Sequence, residues 1–174
     1  MESWWLQVLM AHPDVHEIRE QQLLEIPVGQ NLVKHYFDFV VIWKDGSTSA
    51  CAVKYRKDST GLDDLLKAAA KEVGDAFASD YRIFGEDGIN RTMLWNASWV
   101  IRCGKDHDYE AQAALAGVLA NAGRSVRVAD CDAIVGDGQR GSRAAIALIK
   151  SGKLVIPADE RLGRDTVLGN LFTN

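Results

Sequence analysis

Two ionisable side chains interrupt apolar runs of the sequence: Asp38 within Tyr36 to Trp43, and Lys54 at the end of Cys51-Ala52-Val53-Lys54. A carboxylate confined to an apolar strand is costly unless it is paired or holds a metal, so Asp38 calls for a partner. Between the two runs, Lys44-Asp45-Gly46 reads as a three-residue turn closed by glycine. That turn sets Trp43 against Ser47 and Asp38 against Ala52. Lys54 then lies two residues along on the face of Ala52, and carboxylate and ammonium project into one space. A two-residue loop would place Asp38 against Val53 and turn Lys54 to the other side.

The surrounding pattern supplies the elements that must hold this pair. An apolar helix covers Glu2 to Met10, ending before His12-Pro13, and short strands follow at Val15 to Gln21 and Leu23 to Val28. After the central hairpin, Leu62, Leu65, Leu66, Ala69, Val73 and Phe77 recur at helical spacing, and Tyr81 to Phe84 is a further strand. Helix, strands, hairpin, helix and strand imply an α/β unit, a mixed sheet flanked by helices. Gly85-Glu86-Asp87-Gly88 marks the boundary between residues 1–86 and 87–174. Beyond it helices are expected at Ile89 to Ile101, Tyr109 to Ala122 and Gln139 to Ser151, with a short segment at Val128 to Val135 and a strand at Lys153 to Pro157. This is the order of a winged helix-turn-helix. Gly136 to Gly141 reads as an inter-helix turn, since no GK[ST] follows as a phosphate loop would need.

A net charge of −4 excludes a protein that coats nucleic acid through overall charge, although the basic excess lies after residue 139. Cys51, Cys103 and Cys131 have neither the spacing of a zinc site nor the number of a disulfide framework. His12, His16, His35 and His107 lack metal-ligand spacing and are expected in loops or at the surface. Trp4, Trp5, Trp43, Trp95 and Trp99 are expected in the core. With no membrane-length apolar run and no basic-plus-apolar leader, the expected compartment is the cytoplasm.

An Asp on one strand and a residue-x-Lys triplet on its antiparallel neighbour resembles the core of PD-(D/E)xK nucleases. The stretch HPDVHEIREQ, followed by FDFVV and then AVK, resembles more narrowly the TnsA family, the endonuclease subunits of heteromeric transposases. In that family a helix with a Glu precedes an Ile-Arg-Glu-Gln segment, matched here by Glu2 and by Ile18-Arg19-Glu20-Gln21. A strand with the catalytic Asp follows, then a strand with Gln-x-Lys or Glu-x-Lys.

The resemblance implies a restriction-endonuclease-like mixed sheet followed by a mainly helical, winged-helix-like domain. It implies that Glu2, Asp38 and the Val53 carbonyl hold Mg²⁺, or Mn²⁺ in its place, and that Lys54 positions and deprotonates the attacking water. The substrate would be DNA at transposon ends, and the partners a transposase subunit and an ATPase regulator of a Tns-like system. One departure matters: Ala52 stands where the family keeps Gln or Glu, and a methyl offers no oxygen to a cation. Asp64 or Glu72 would then have to substitute; otherwise the chain is a non-catalytic DNA- or protein-binding recombination adaptor with a degenerate nuclease fold. Arg56 and Lys57, just past Lys54, and Arg140, Arg143, Lys150 and Lys153, around the third helix of the C-terminal half, are the expected contacts to DNA or a partner.

Overall fold

The structure, a computed structural model, describes residues 1–136 and 138–172. It divides into two compact units: Met1–Leu9 with Asp14–Ile89, and Met10–Pro13 with the chain from Asn90 on. Among the described residues no helix is long and apolar enough to cross a membrane.

The first unit runs α1 (Glu2–Ala11), β1 (Val15–Val28), β2 (Asn31–Trp43), β3 (Thr48–Val53), α2 (Leu62–Glu72) and β4 (Asp80–Phe84). The four strands form one sheet in the order β1-β2-β3-β4. The first two pairings are antiparallel and the third, closed by the α2 crossover, is parallel. The two expected segments at Val15 to Gln21 and Leu23 to Val28 are one 14-residue strand.

At the β2–β3 turn the Gly46 N–H donates to the Trp43 carbonyl at 3.0 Å and the Trp43 N–H to the Ser47 carbonyl at 2.9 Å. Gly46 takes φ 87°, a value that glycine reaches without a Cβ clash. The β2–β3 pairing runs from Ile42 with Thr48 to Phe39 with Cys51 and stops short of Asp38 and Ala52. This is the register expected from a three-residue loop.

The sheet buries both faces. Trp5 and Leu9 of α1 pack with Val15, Phe39, Val41, Cys51 and Val53 on one side. Leu62 and Leu66 of α2 pack with Phe37, Val40, Ala50, Ala52 and Ala78 on the other. Phe37 and Phe39, two residues apart on β2, thus belong to opposite faces. Strict alternation would put them on the same one, so the strand changes face at Asp38.

The second unit carries α3 (Arg91–Gly104), α4 (Tyr109–Leu119), β5 (Ser125–Arg127), α5 (Asp130–Val135), α6 (Arg140–Lys150), β6 (Leu154–Val155) and β7 (Val167–Asn170). Asn90 and Asp108 begin α3 and α4 by accepting the backbone N–H groups of Met93 and Ala111. A second sheet of order β5-β7-β6 contains the strand expected within Lys153 to Pro157, here β6, together with two strands that were not expected, β5 and β7. Strands of two to four residues are too short to show a period. Gly136 and Gly138 lie at φ 79° and 54° between α5 and α6; Asp137, also part of the expected turn, lies outside the described residues.

Helix α6 is the centre of this unit. Gly141, Ser142 and every residue from Ala144 to Ile149 are buried. Close approach is possible because the residues are small: a Cβ at Gly141 would stand 1.9 Å from the Cys131 carbonyl oxygen of α5. Ser142 ties the same helices together, its N–H and hydroxyl both donating to the Asp132 carboxylate.

Candidate active site

Asp38 stands where β2 and β3 part. The β2–β3 pairing ends at Phe39 and Cys51, while β2 continues along β1 to Asn31. One carboxylate oxygen of Asp38 accepts the Val53 backbone N–H at 2.6 Å, and the other accepts the Gln21 side-chain amide at 3.4 Å. The partner that the apolar strand called for is therefore the backbone of β3 together with Gln21. Asp38 is half-buried rather than enclosed.

Gln21 reaches the carboxylate through an unusual backbone. It lies inside β1 at φ 52°, in the left-handed region that non-glycine residues seldom occupy. The β1–β2 pairing is regular on either side, Glu20 with Phe39 and Gln22 with Phe37, and omits Gln21 and Asp38 between them. Such a conformation costs about 1–3 kcal/mol, which the Gln21–Asp38 bond and the flanking ladder offset. Gln21→Gly should therefore leave stability near wild type, whereas Gln21→Val, branched at Cβ, should lower it by about 2 kcal/mol. Urea unfolding of the two variants measures the difference; equal losses would contradict the strain.

Lys54 follows the last residue of β3 with an exposed side chain, and its backbone N–H donates to the Phe84 carbonyl at 3.1 Å. Glu2 is exposed in the first turn of α1. The same helix is fixed beside that end of the sheet by Trp5, whose ring stacks on Phe84 with centroids 4.2 Å apart and whose indole N–H donates to the Gly85 carbonyl at 3.2 Å. Ala52 has no exposed surface and packs in the α2-side cluster. Asp64 and Glu72 do not substitute for its missing oxygen. Both are exposed, and they pair with Lys67 and Lys71 on their own helix. Among the described residues no three His, Cys, Asp or Glu side chains gather as a metal-holding group.

His35, expected in a loop or at the surface, is a half-buried residue of β2. Its ring meets Phe37 edge-on at 4.7 Å, and Nε2 is buried with no hydrogen-bond partner among the described residues. Burial holds the imidazole below its usual range; Asp38 works against that shift and Lys54 with it. The signal was its position two residues before Phe37, on the same face of the strand. The tryptophans divide. Trp5 is core, while Trp4 is 50% and Trp95 38% exposed, against the expectation that all five are buried.

The basic candidates fall into two groups. Arg56 and Lys57 lie exposed on a single turn after Lys54, with the Arg56 N–H on the Glu86 carboxylate and the Lys57 ammonium 5.9 Å from the Tyr55 ring. In the second unit, Arg140 grips Asp108 with two nitrogens at 2.8 and 2.9 Å and reaches Glu110 at 3.2 Å. Arg143 pairs with Asp106, and the Lys150 ammonium donates to the His12 carbonyl at 2.8 Å. Lys153 is exposed near the Phe172 ring. Arg140 and Arg143 are thus held by carboxylates rather than offered to phosphate.

The Arg140 fork, with the Ala111 N–H, holds the Asp108 carboxyl down to about 2, against an ordinary value of about 3.9. A carboxylate depressed in the folded state contributes stability above its unfolded value and loses it as pH falls through the folded one. The second unit should accordingly weaken between about pH 4 and pH 2. In Arg140→Ala the Asp108 carboxyl carbon should titrate nearer 4 by NMR; an unchanged midpoint would remove Arg140 as the cause.

Compared with known proteins, the chain matches no family model and no curated protein.

Proposed function

We propose that the chain is a metal-dependent DNA endonuclease of the TnsA type, hydrolysing phosphodiester bonds at transposon ends as a subunit of a heteromeric transposase. The observation that carries this reading is Asp38, placed where β2 and β3 part, its carboxylate fixed by Val53 and Gln21, with Lys54 just past the end of β3. Gln21 belongs to the Ile-Arg-Glu-Gln segment on which the resemblance rests, and its bond to Asp38 gives that segment a physical role. The order α1-β1-β2-β3-α2-β4 supports a restriction-endonuclease-like unit, with the Asp strand next to the x-Lys strand. In the second unit, α4-β5-α5-α6-β6-β7 with sheet order β5-β7-β6 supports a winged-helix-like arrangement.

The donors suit a hard cation that keeps most of its waters: the Asp38 carboxylate and the Val53 carbonyl would hold it, with Glu2 of the first turn of α1 as the third ligand that the resemblance implies. When bound, Mg²⁺ or Mn²⁺ supplies charge that offsets the charge developing on the scissile phosphate. The chain's own residues do the rest. Two hydrogen bonds fix Asp38 before any ligand arrives, so its oxygens need little reorganisation. Lys54 carries an exposed ammonium that can orient a water toward phosphorus.

A second reading, the non-catalytic DNA- or protein-binding adaptor, is favoured by one observation. Position 52 offers only a buried methyl, and among the described residues no three His, Cys, Asp or Glu side chains gather as a metal-holding group. Titration of the metal-free chain with Mn²⁺, followed by the paramagnetic resonance of the free ion, separates the two. The nuclease reading expects binding that Asp38→Asn weakens by about tenfold or more. Absence of Mn²⁺ binding to the wild type supports the adaptor.

A further inference from the structure

The helix that a winged-helix unit would offer to a DNA groove is enclosed here, since α6 is buried over nearly its whole length and its two arginines are held by Asp106, Asp108 and Glu110. A different face of the same unit is basic and aromatic. Two hollows, of about 340 and about 460 Å³, open on α3 and the segment before β7, and both are lined by Trp95. Their walls carry Arg91, Trp99, Arg102, Arg161 and Arg164, and no aspartate or glutamate is among the described residues that line them.

This face is built rather than loose. The Trp95 indole N–H donates to the Leu162 carbonyl at 2.8 Å. The Asn96 amide spans the same segment, donating to the Glu160 carbonyl and accepting the Leu162 N–H, each at 2.8 Å. Leu162 is 4% exposed and anchors the segment. The result lays the Arg161 guanidinium 3.9 Å from the Trp95 ring centre, while Arg102 stands 5.6 Å from that of Trp99. Arg164 pairs with Asp132 at 3.1 Å, but Arg91, Arg102 and Arg161 have no carboxylate partner among the described residues. In a chain of net charge −4, guanidinium groups without a carboxylate partner beside an exposed Trp95 and a half-buried Trp99 form a surface with a specific complement.

We propose that this face binds single-stranded DNA, its phosphates on Arg91, Arg102 and Arg161 and an unstacked base on Trp95. Arginine neutralises backbone phosphate, and an indole takes a base of any sequence once that base is out of a duplex stack. A duplex hides those base faces, so the single strand is the better ligand. The site stands independently of the nuclease reading, because none of its residues belongs to the first unit.

The test is fluorescence anisotropy of a labelled oligothymidine strand with the full chain, across a salt series, beside a duplex of equal length. Wild type should bind the strand more tightly than the duplex, with affinity falling linearly in log salt. Arg91→Glu combined with Arg102→Glu, both at exposed positions, should flatten the salt slope and weaken binding by about tenfold or more. Trp95→Ala should weaken it comparably, since base–indole stacking tolerates any sequence and adds to the phosphate contacts; circular dichroism checks that this variant is folded. Absence of strand binding at low salt would overturn the proposal, as would arginine variants that bind normally. Preference for a polyglutamate competitor over the strand would also overturn it, and would assign the face to an acidic protein partner.

Discussion

Gly141→Ala is expected to cost the second unit about 3 kcal/mol, at the upper end of what overpacking usually costs. The added methyl would meet the Cys131 carbonyl oxygen at 1.9 Å, its carbon at 2.3 Å and the Asp132 nitrogen at 2.6 Å. These are backbone atoms, so no rotamer change relieves the clash and α5 must move from α6. Moving it also breaks the Ser142–Asp132 bonds at 2.6 and 2.8 Å. For a unit of this size the loss corresponds to a fall in melting temperature of more than about 10 °C. Gly117→Ala is the matched control. It lies in α4, its Cβ would meet nothing within 4 Å, and alanine favours a helix interior by up to about 1 kcal/mol over glycine. Calorimetry on both variants decides: equal shifts would contradict the close crossing.

Asp38 is expected to separate stability from activity. Asp38→Ala removes the acceptor of the Val53 N–H, and leaving that part-buried donor unpaired costs about 1–3 kcal/mol. Asp38→Asn keeps an oxygen for the same donor and should stay within about 1 kcal/mol of wild type. Under the proposed mechanism it nevertheless loses the charge that attracts the cation. Charge stabilisation by a bound metal is worth several kcal/mol, so cleavage should fall about 100-fold or more. Denaturation curves and cleavage rates on the two variants measure both quantities. If Asp38→Asn cleaves as fast as wild type, the carboxylate has no part in the chemistry.

The hairpin was legible because its signals are local. A glycine-closed turn sets the register, and the pairing follows it as far as Phe39 with Cys51. The helices of the second unit were legible from their apolar composition, although their N-caps, Asn90 and Asp108, emerge only in the structure. The change of face at Asp38 was not, because it depends on a left-handed Gln21 that no propensity favours, and the apolar run on either side of Asp38 carries no alternation that could show it. The charges of α6 misled for a related reason. Arg140 and Arg143 look like a phosphate-binding face when read along one helix, but their carboxylate partners lie thirty or more residues earlier, in and before the first turn of α4. His35 illustrates a limit of spacing arguments, since a lone histidine has no spacing to read. Its environment appears only once Phe37 is seated beside it.

The central claim is that Asp38 and Lys54 form a working site despite Ala52, and nicking of supercoiled plasmid addresses it most directly. Wild type, Asp38→Asn and Lys54→Ala are incubated at equal folded concentration with Mg²⁺, with Mn²⁺ and with chelator, and the open circle is quantified over time. The account predicts cation-dependent nicking by wild type that both variants reduce by about 100-fold or more. No nicking by wild type with either cation, or equal nicking by Asp38→Asn, would contradict it.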